Sequence, residues 1–285
     1  MTNDTAKTRL AEVIASLALA SDLGMGQSMD HALRRCLIAL RLGEALGLSE
    51  AELGEVYYVA LVCSVGCTIK LQGFTPWFSD ELAFGAGVSL LDPLDRLGGA
   101  AFLVRHAGEG YPPLQRAQKV VSMLANGQKE FRRAFVTCHE VCKGFGEMLG
   151  FEPPIQDALG QIHERWDGHG EPLGLKGEEK ALAARIAHLA EDVETFDRMG
   201  GADTAVAMVR QRSGKAYDPR IAELFYQEGP QLLSELEAEP VWETVLTAEP
   251  GPWRWLSGQE FERTTKQWPI SLTSSLPTRW ATRPG

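Results

Sequence analysis

Helix start and stop signals between residues 33 and 64 constrain the fold of this chain most. Leu33, Leu37 and Leu40 recur at helical spacing, so they form an apolar stripe on one face of a helix. Gly47 suits the left-handed position that ends such a helix. Ser49 and Glu52 then form a capping box, in which each side chain satisfies an unpaired backbone N–H at the next helix start. The pattern predicts successive helices joined by a short turn.

The same helical period recurs along most of the chain, and no strand alternation interrupts it. Asp218 and Pro219 predict another helix start, with the aspartate as N-cap. Further helices are predicted over 128–149, 155–166 and 178–198, the last one ending at Gly200 and Gly201. We therefore expect an all-α helical domain over residues 1–250, with a loop-rich insertion at about 72–127.

Residues 251–285 differ in composition from the rest of the chain. They hold four of the seven tryptophans and four of the fifteen prolines, and they carry five basic against two acidic residues. From Gln267 onward no helical period remains. We predict that 251–285 form an irregular, disordered tail.

Composition excludes several classes of function. A chain of 285 residues with net charge −10 has no electrostatic footprint for nucleic acid, so we expect no nucleic-acid binding by this chain alone. No run of 18 apolar residues predicts a membrane span, and the first residues lack a signal-peptide pattern. Five cysteines without an export signal indicate reduced thiols and a cytoplasmic location.

Four stretches together resemble the HD-GYP family, an all-helical branch of the HD metal-dependent phosphohydrolases. They are "HALRRCLIALRLGEALGLSEAEL", "VYYVALVCSVGCTIK", "IHERWDGHGEPLGLKGEEKALAARIAHLAEDVETF" and "KAYDPRIAELF". The resemblance covers residues 25–228 and implies a helical bundle with a metal site at its centre. It also implies a nucleotide as ligand, because the family is associated with hydrolysis of cyclic di-GMP.

The resemblance assigns metal-ligand positions that this chain keeps only in part. The family's His-Asp pair falls on Cys63 and Ser64, and a catalytic lysine falls on Cys67. One further ligand position holds Ile162, which cannot bind a metal. The positions that retain a ligand type are His31, His139, His163 and Glu191. These four could hold one Zn or Fe ion but not a two-metal centre, so no catalytic residue is expected.

The same residues have structural interpretations that the sequence leaves open. The histidines could be buried side chains without a metal, and Arg165 could pair with a carboxylate while Asp167 sets a turn. As an alternative, Arg165, Asp167 and Glu171 could bind a ligand. Two cysteine pairs, Cys63/Cys67 and Cys138/Cys142, each share a helical face and could bind zinc or simply be buried.

A narrower resemblance links the stretch "SLALASDLGMGQSMDHALRRCLIALRLGEALGL" to actinobacterial regulators with two HD-GYP modules and a LuxR-type helix-turn-helix. This chain resembles their degenerate first module. In a shifted reading frame, the tail after Lys266 can encode residues similar to the start of their second module, which suggests a frameshift there.

We therefore expect a catalytically weak or inactive sensory or dimerising module, forming a homodimer, in a signalling or transcription regulator. Two alternatives are an active metal-dependent phosphohydrolase on cyclic di-GMP and a transcription regulator in its own right.

Overall fold

The structure, a computed structural model, describes residues 7–63, 76–78, 84, 87, 96–238 and 240–262. Ser64 and Cys67 lie outside these residues, and so do the tail from 263 onward and the proposed frameshift after Lys266.

The described chain is all-α, as predicted, apart from one pair of two-residue strands. Helices α1, α2 and α3 span Leu10–Gly24, His31–Ala45 and Glu50–Val62. Helices α4, α5 and α6 span Arg96–His106, Pro113–Met148 and Pro153–Gly160. A 3-10 turn at Gly177–Glu179 precedes α7, α8 and α9, which span Leu182–Arg212, Pro219–Glu237 and Val241–Thr247. No helix in these ranges has the length and apolar character of a membrane span.

Helix α2 lies at the centre of the bundle and packs against α1, α3, α7, α8 and α9. Its predicted apolar stripe is buried, with Leu33, Leu37 and Leu40 at most 3% exposed. The local signals around it are confirmed: Gly47 has a φ of +72°, and Ser49 and Glu52 form the capping box of α3. Local chemistry therefore fixes where α2 ends and α3 begins.

Helix α5 is longer than the sequence predicted. It begins at Pro113, inside the predicted insertion, and continues to Met148 without a break at Gly127. Its first half helps to form a second, smaller apolar cluster, in which the rings of Phe78 and Phe84 stack with centroids 3.7 Å apart. The Gly, Pro and aromatic content that indicated loops therefore serves in part to build this cluster.

The predicted helix end at Gly200 and Gly201 is a break between two helical segments of α7. Gly201 has φ +75° and ψ 179°, a conformation that only glycine adopts readily. The chain then resumes a helical path to Arg212. The two glycines thus redirect the chain rather than end the helical region.

Strands β1 (Thr8–Arg9) and β2 (Trp255–Leu256) pair in antiparallel fashion. The Arg9 guanidinium also pairs with the buried carboxylate of Glu249, which accepts a hydrogen bond from the Tyr58 hydroxyl. Leu256 is 7% exposed and belongs to the main core. Residues 251–256 are therefore part of the folded domain and not of a tail, because they close it against the first strand.

Replacement of Gly201 by alanine should lower the free energy of unfolding by about 1–3 kcal/mol, since alanine resists this backbone conformation. A Cβ at residue 201 meets no atom within 4 Å, so crowding does not contribute. Gly54 in α3 has the same free space. Gly54→Ala is the matched control and should be neutral or stabilising by up to about 1 kcal/mol. Urea unfolding of both variants measures the difference, and equal effects would contradict the prediction.

Candidate functional site

A buried polar cluster joins the start of α2 to the first half of α7. The His31 side chain is 1% exposed, and its Nδ1 contacts the carboxylate of Glu194, which is fully buried. Its Nε2 lies 3.1 Å from Oε1 of Glu191, whose side chain is 30% exposed. His31 and Glu191, two of the four predicted metal ligands, are therefore in contact, and Glu191 connects the pair to solvent.

Arg35, one turn after His31, is the centre of this cluster. Its guanidinium donates through Nη1 to Oε2 of Glu191 and through Nε to the carbonyl of Ala60, 2.7 Å away. The residue is completely buried, and the side chain of Cys63 lies within its electrostatic reach. No motif pointed to Arg35, although an arginine among the apolar residues of α2 indicates a partner inside the core.

Asp22, near the end of α1, is the third acid of the cluster. It is fully buried, and its Oδ2 accepts a hydrogen bond from the backbone N–H of Ala32 at 2.9 Å. Its Oδ1 has no hydrogen-bond partner among the described residues. Burial raises the pKa of Asp22 to about 6, although Arg35 and His31 oppose this shift.

Charge pairing sets the protonation of the His31–Glu191 pair. Burial alone would lower the pKa of His31, but Glu191 and Glu194 raise it to about 10. Burial alone would raise the pKa of Glu191, but Arg35 and His31 hold it well below its usual range. Both shifts favour the charged forms of the pair, an imidazolium and a carboxylate.

The other two predicted ligands lie in a second group near the end of α6. Nε2 of His163 lies 3.5 Å from Sγ of Cys138, and the ring of Phe135 meets His163 edge-on. His139 points elsewhere, with Nδ1 2.8 Å from the carbonyl oxygen of Gly160. Cys142 contacts the backbone carbonyl of Cys63 at 3.7 Å.

The described residues do not fit the metal centre that the resemblance implies. Among them, no three His, Cys, Asp or Glu side chains are placed to hold one ion. His31 and Glu191 bind each other, and Glu191 is already paired with the buried cation of Arg35. The single Zn or Fe ion held jointly by His31, His139, His163 and Glu191 stays a prediction.

The loop after His163 is held by its own polar residues. Arg165 donates from Nε and Nη2 to the two carboxylate oxygens of Asp167, at 3.0 and 2.7 Å. The buried Glu164 accepts the backbone N–H groups of Leu173 and Leu175 at 2.6 and 3.0 Å. Arg165 and Asp167 therefore satisfy each other within the loop, which matches the structural interpretation of this motif. Their ligand-binding role stays a prediction.

Glu171 is the one predicted ligand-binding residue of the three that faces solvent. Its side chain is 41% exposed, and Oε2 lies 3.8 Å from Nε of Arg132 on α5. At this separation the pair is loose and solvated. Glu171 and Arg132 therefore mark an open edge between α5 and the 163–172 loop.

Lys180, which no sequence motif identified, is completely buried behind this loop. Its ammonium donates to the carbonyl of Glu164 at 2.6 Å and lies 3.0 Å from Nδ1 of His188. Burial lowers the pKa of Lys180 to about 7. Burial and the nearby Lys180 lower the pKa of His188 well below its usual range.

Comparison with known proteins relates part of this chain to a known domain family. Residues 142–221, from α5 to the start of α8, match the HD domain family. The predicted relation to the HD superfamily is confirmed at that level.

Two proteins of Vibrio cholerae serotype O1 are similar to the chain. A 3′3′-cGAMP-specific phosphodiesterase is 28% identical over 85% of this chain and 53% of its own length. A probable cyclic di-GMP phosphodiesterase is 35% identical over 23% of this chain and 16% of its own length. The chain thus spans about half the length of the first relative and less of the second.

A solved structure shares the fold. The crystal structure of a cyclic GMP-AMP specific phosphodiesterase of V. cholerae matches 95% of this chain and 62% of its own, with a TM-score of 0.70 and 24% identity. The all-α fold predicted from the sequence therefore agrees with an observed one.

These similarities correct the main functional prediction. We expected a weak or inactive sensory or dimerising module, because Cys63 and Ser64 replace the His-Asp pair. The similarity to a phosphodiesterase over 85% of the chain contradicts that expectation and favours the alternative of an active enzyme.

Lys180 should make stability depend on pH. Between pH 7 and 10.5 the unfolded chain binds the lysine proton and the folded chain does not, so folding stability rises with pH in that window. Below pH 7 the cost of burying the ammonium is present in full. Relative to Lys180→Met, the free energy of unfolding of the wild type should rise by on the order of a few kcal/mol between pH 7 and 10.5.

Urea unfolding at about pH 6 and about pH 9.5 tests this difference. The control is Lys215→Met at an exposed lysine, where the difference from wild type should not change with pH. If the difference in unfolding free energy between wild type and Lys180→Met were also the same at both pH values, the prediction would be wrong.

Proposed function

We propose that this chain is a phosphodiesterase that hydrolyses a 3′3′-linked cyclic dinucleotide. The observation that carries the proposal is its similarity, along 85% of its length, to a 3′3′-cGAMP-specific phosphodiesterase. The HD domain match over residues 142–221 supports hydrolysis of a phosphate ester as the reaction class. The match in fold adds that the similar residues lie in a comparable helical arrangement.

The substrate has a charge that this chain must accommodate locally. Each of its two phosphodiester groups is anionic, whereas the chain has a net charge of −10. Exposed cations therefore have to be concentrated where the substrate binds. Lys129, Arg132 and Arg133 form such a group on α5, and all three are exposed.

This basic group faces the edge of the 163–172 loop. Arg132 is within 3.8 Å of Glu171, and the half-buried His163 reaches Cys138 on the same helix. We infer that the substrate lies between α5 and this loop, with the arginines binding phosphate. The loop holds two imidazoles, the exposed His169 and the half-buried His163, and His163 is the one that contacts α5. We therefore assign His163 a role in proton transfer or in contact with the phosphodiester.

Purified protein should convert 3′3′-cGAMP or cyclic di-GMP to a linear dinucleotide when Mg²⁺, Mn²⁺ or Fe²⁺ is supplied, because the HD class implies metal-dependent chemistry. His163→Ala should lower kcat/KM by on the order of 100-fold if the imidazole transfers a proton. Arg132→Ala should mainly raise KM, because it removes a phosphate contact. Chromatographic separation of the products provides the measurement.

His106→Ala is the matched control, because that imidazole contacts Glu109 at the exposed end of α4. It should retain the wild-type rate. Absence of hydrolysis of both dinucleotides with all three ions would refute the proposed function. Hydrolysis that survives His163→Ala would refute only the role of that histidine.

A further inference from the structure

The buried cluster at His31 has the layout of one side of a metal site. Nε2 of His31 and Oε1 of Glu191 lie 3.1 Å apart, as two neighbouring ligands of one ion can. Behind the ring, the Glu194 carboxylate contacts Nδ1, which is the carboxylate–histidine arrangement that orients metal-binding imidazoles. The position between α2 and α7 is therefore built for a cation.

The side chain of Arg35 already supplies a cation at that position. We propose that the Arg35 guanidinium is the resident cation of the His31–Glu191 pair, and that it excludes a divalent metal from this pair. The guanidinium binds Oε2 of Glu191, the second oxygen of the same carboxylate that faces His31. A metal ion on Glu191 would therefore lie next to a fixed positive charge in a buried setting, where repulsion is weakly screened.

Hydrogen bonds to two neighbouring helices hold the Arg35 side chain in place. Its Nε donates a hydrogen bond to the Ala60 carbonyl on α3, and its Nη1 donates one to the Glu191 carboxylate on α7. The side chain is thus held from two helices besides its own, and it is completely buried. Arginine also keeps its charge at all accessible pH values, so the cation is permanent.

The carboxylate that faces His31 already has a cationic partner in Arg35. Asp22, Glu191 and Glu194 supply three carboxylates around Arg35 and His31. Outside this group Arg198 pairs with Glu194 and Arg34 lies 3.7 Å from it. A divalent ion on Glu191 would therefore compete with Arg35 for the same carboxylate. Removal of the guanidinium would take this positive charge away and leave Oε2 of Glu191 open to a metal ion.

Binding of Mn²⁺, measured by equilibrium dialysis with elemental analysis, tests this inference directly. Wild-type protein should bind no Mn²⁺ that depends on Glu191, so wild type and Glu191→Gln should have equal metal content. Arg35→Ala should bind one additional Mn²⁺ per chain. That ion should be lost again in the Arg35→Ala, Glu191→Gln double variant.

Arg34→Ala is the matched control, since Arg34 is the neighbouring arginine and pairs with Asp197 at 3.2 Å and not with Glu191. It should bind no additional metal. Arg35→Met, which keeps the aliphatic volume, replaces Arg35→Ala if the smaller side chain prevents folding, as judged by circular dichroism.

Three results would overturn the inference. One is a Mn²⁺ ion that binds to the wild type and not to Glu191→Gln. This comparison needs no Arg35 variant. Another is a folded Arg35→Ala or Arg35→Met variant that gains no metal. The third is an equal gain in Arg34→Ala. None of these measurements involves a nucleotide, so they are separate from success or failure of the proposed hydrolysis.

Discussion

The packing of α2 against α7 depends on a buried network of opposite charges. His31 and Arg35 on α2 meet Glu191 and Glu194 on α7, and these contacts repeat one helical turn apart on both helices. Apolar contacts alone would specify the register of the two helices less strictly, because the hydrophobic effect has no direction. A buried ion pair permits one register only, since any shift leaves a charge without its partner at a cost of about 3–5 kcal/mol. Because α2 packs on five helices, this register is passed on to the rest of the bundle.

Most of the helical architecture could be predicted because the signals that begin and end its helices are local in sequence. The capping box at Ser49 and Glu52 and the N-cap at Asp218 act within one turn of the chain, so no tertiary information was needed. Helix α5 was underestimated for the opposite reason. Its first half is stabilised by contacts with Trp77 and Phe84, which are distant in sequence and which composition alone indicated to be loop. The strand pair was missed because two-residue strands carry no period.

The candidate site was predictable only in part. The resemblance identified His31 and Glu191, and the structure brings them together. It could not reveal Arg35 or Lys180, because a buried cation is recognisable only from the carbonyls and carboxylates that distant segments place around it. His139 was misleading in another way: it is one residue from Cys138 on α5, yet a helix turns about 100° per residue, so the two side chains point to different partners. The prediction of inactivity was wrong because it rested on single ligand positions such as Cys63 and Ser64. The similarity to a phosphodiesterase extends over 85% of the chain.

The pairing of β1 with β2 has a mechanical consequence. Residues 8 and 256 are register partners, so the first and last strands of the described domain emerge side by side. A pulling force applied across these two points would not stretch the helical bundle first. It would load the strand pair and the Arg9–Glu249 ion pair, which join the same two regions of the chain. Inside a longer polypeptide, the domain would therefore transmit tension between its neighbours through this contact and leave the helices that carry the site unloaded until it opens.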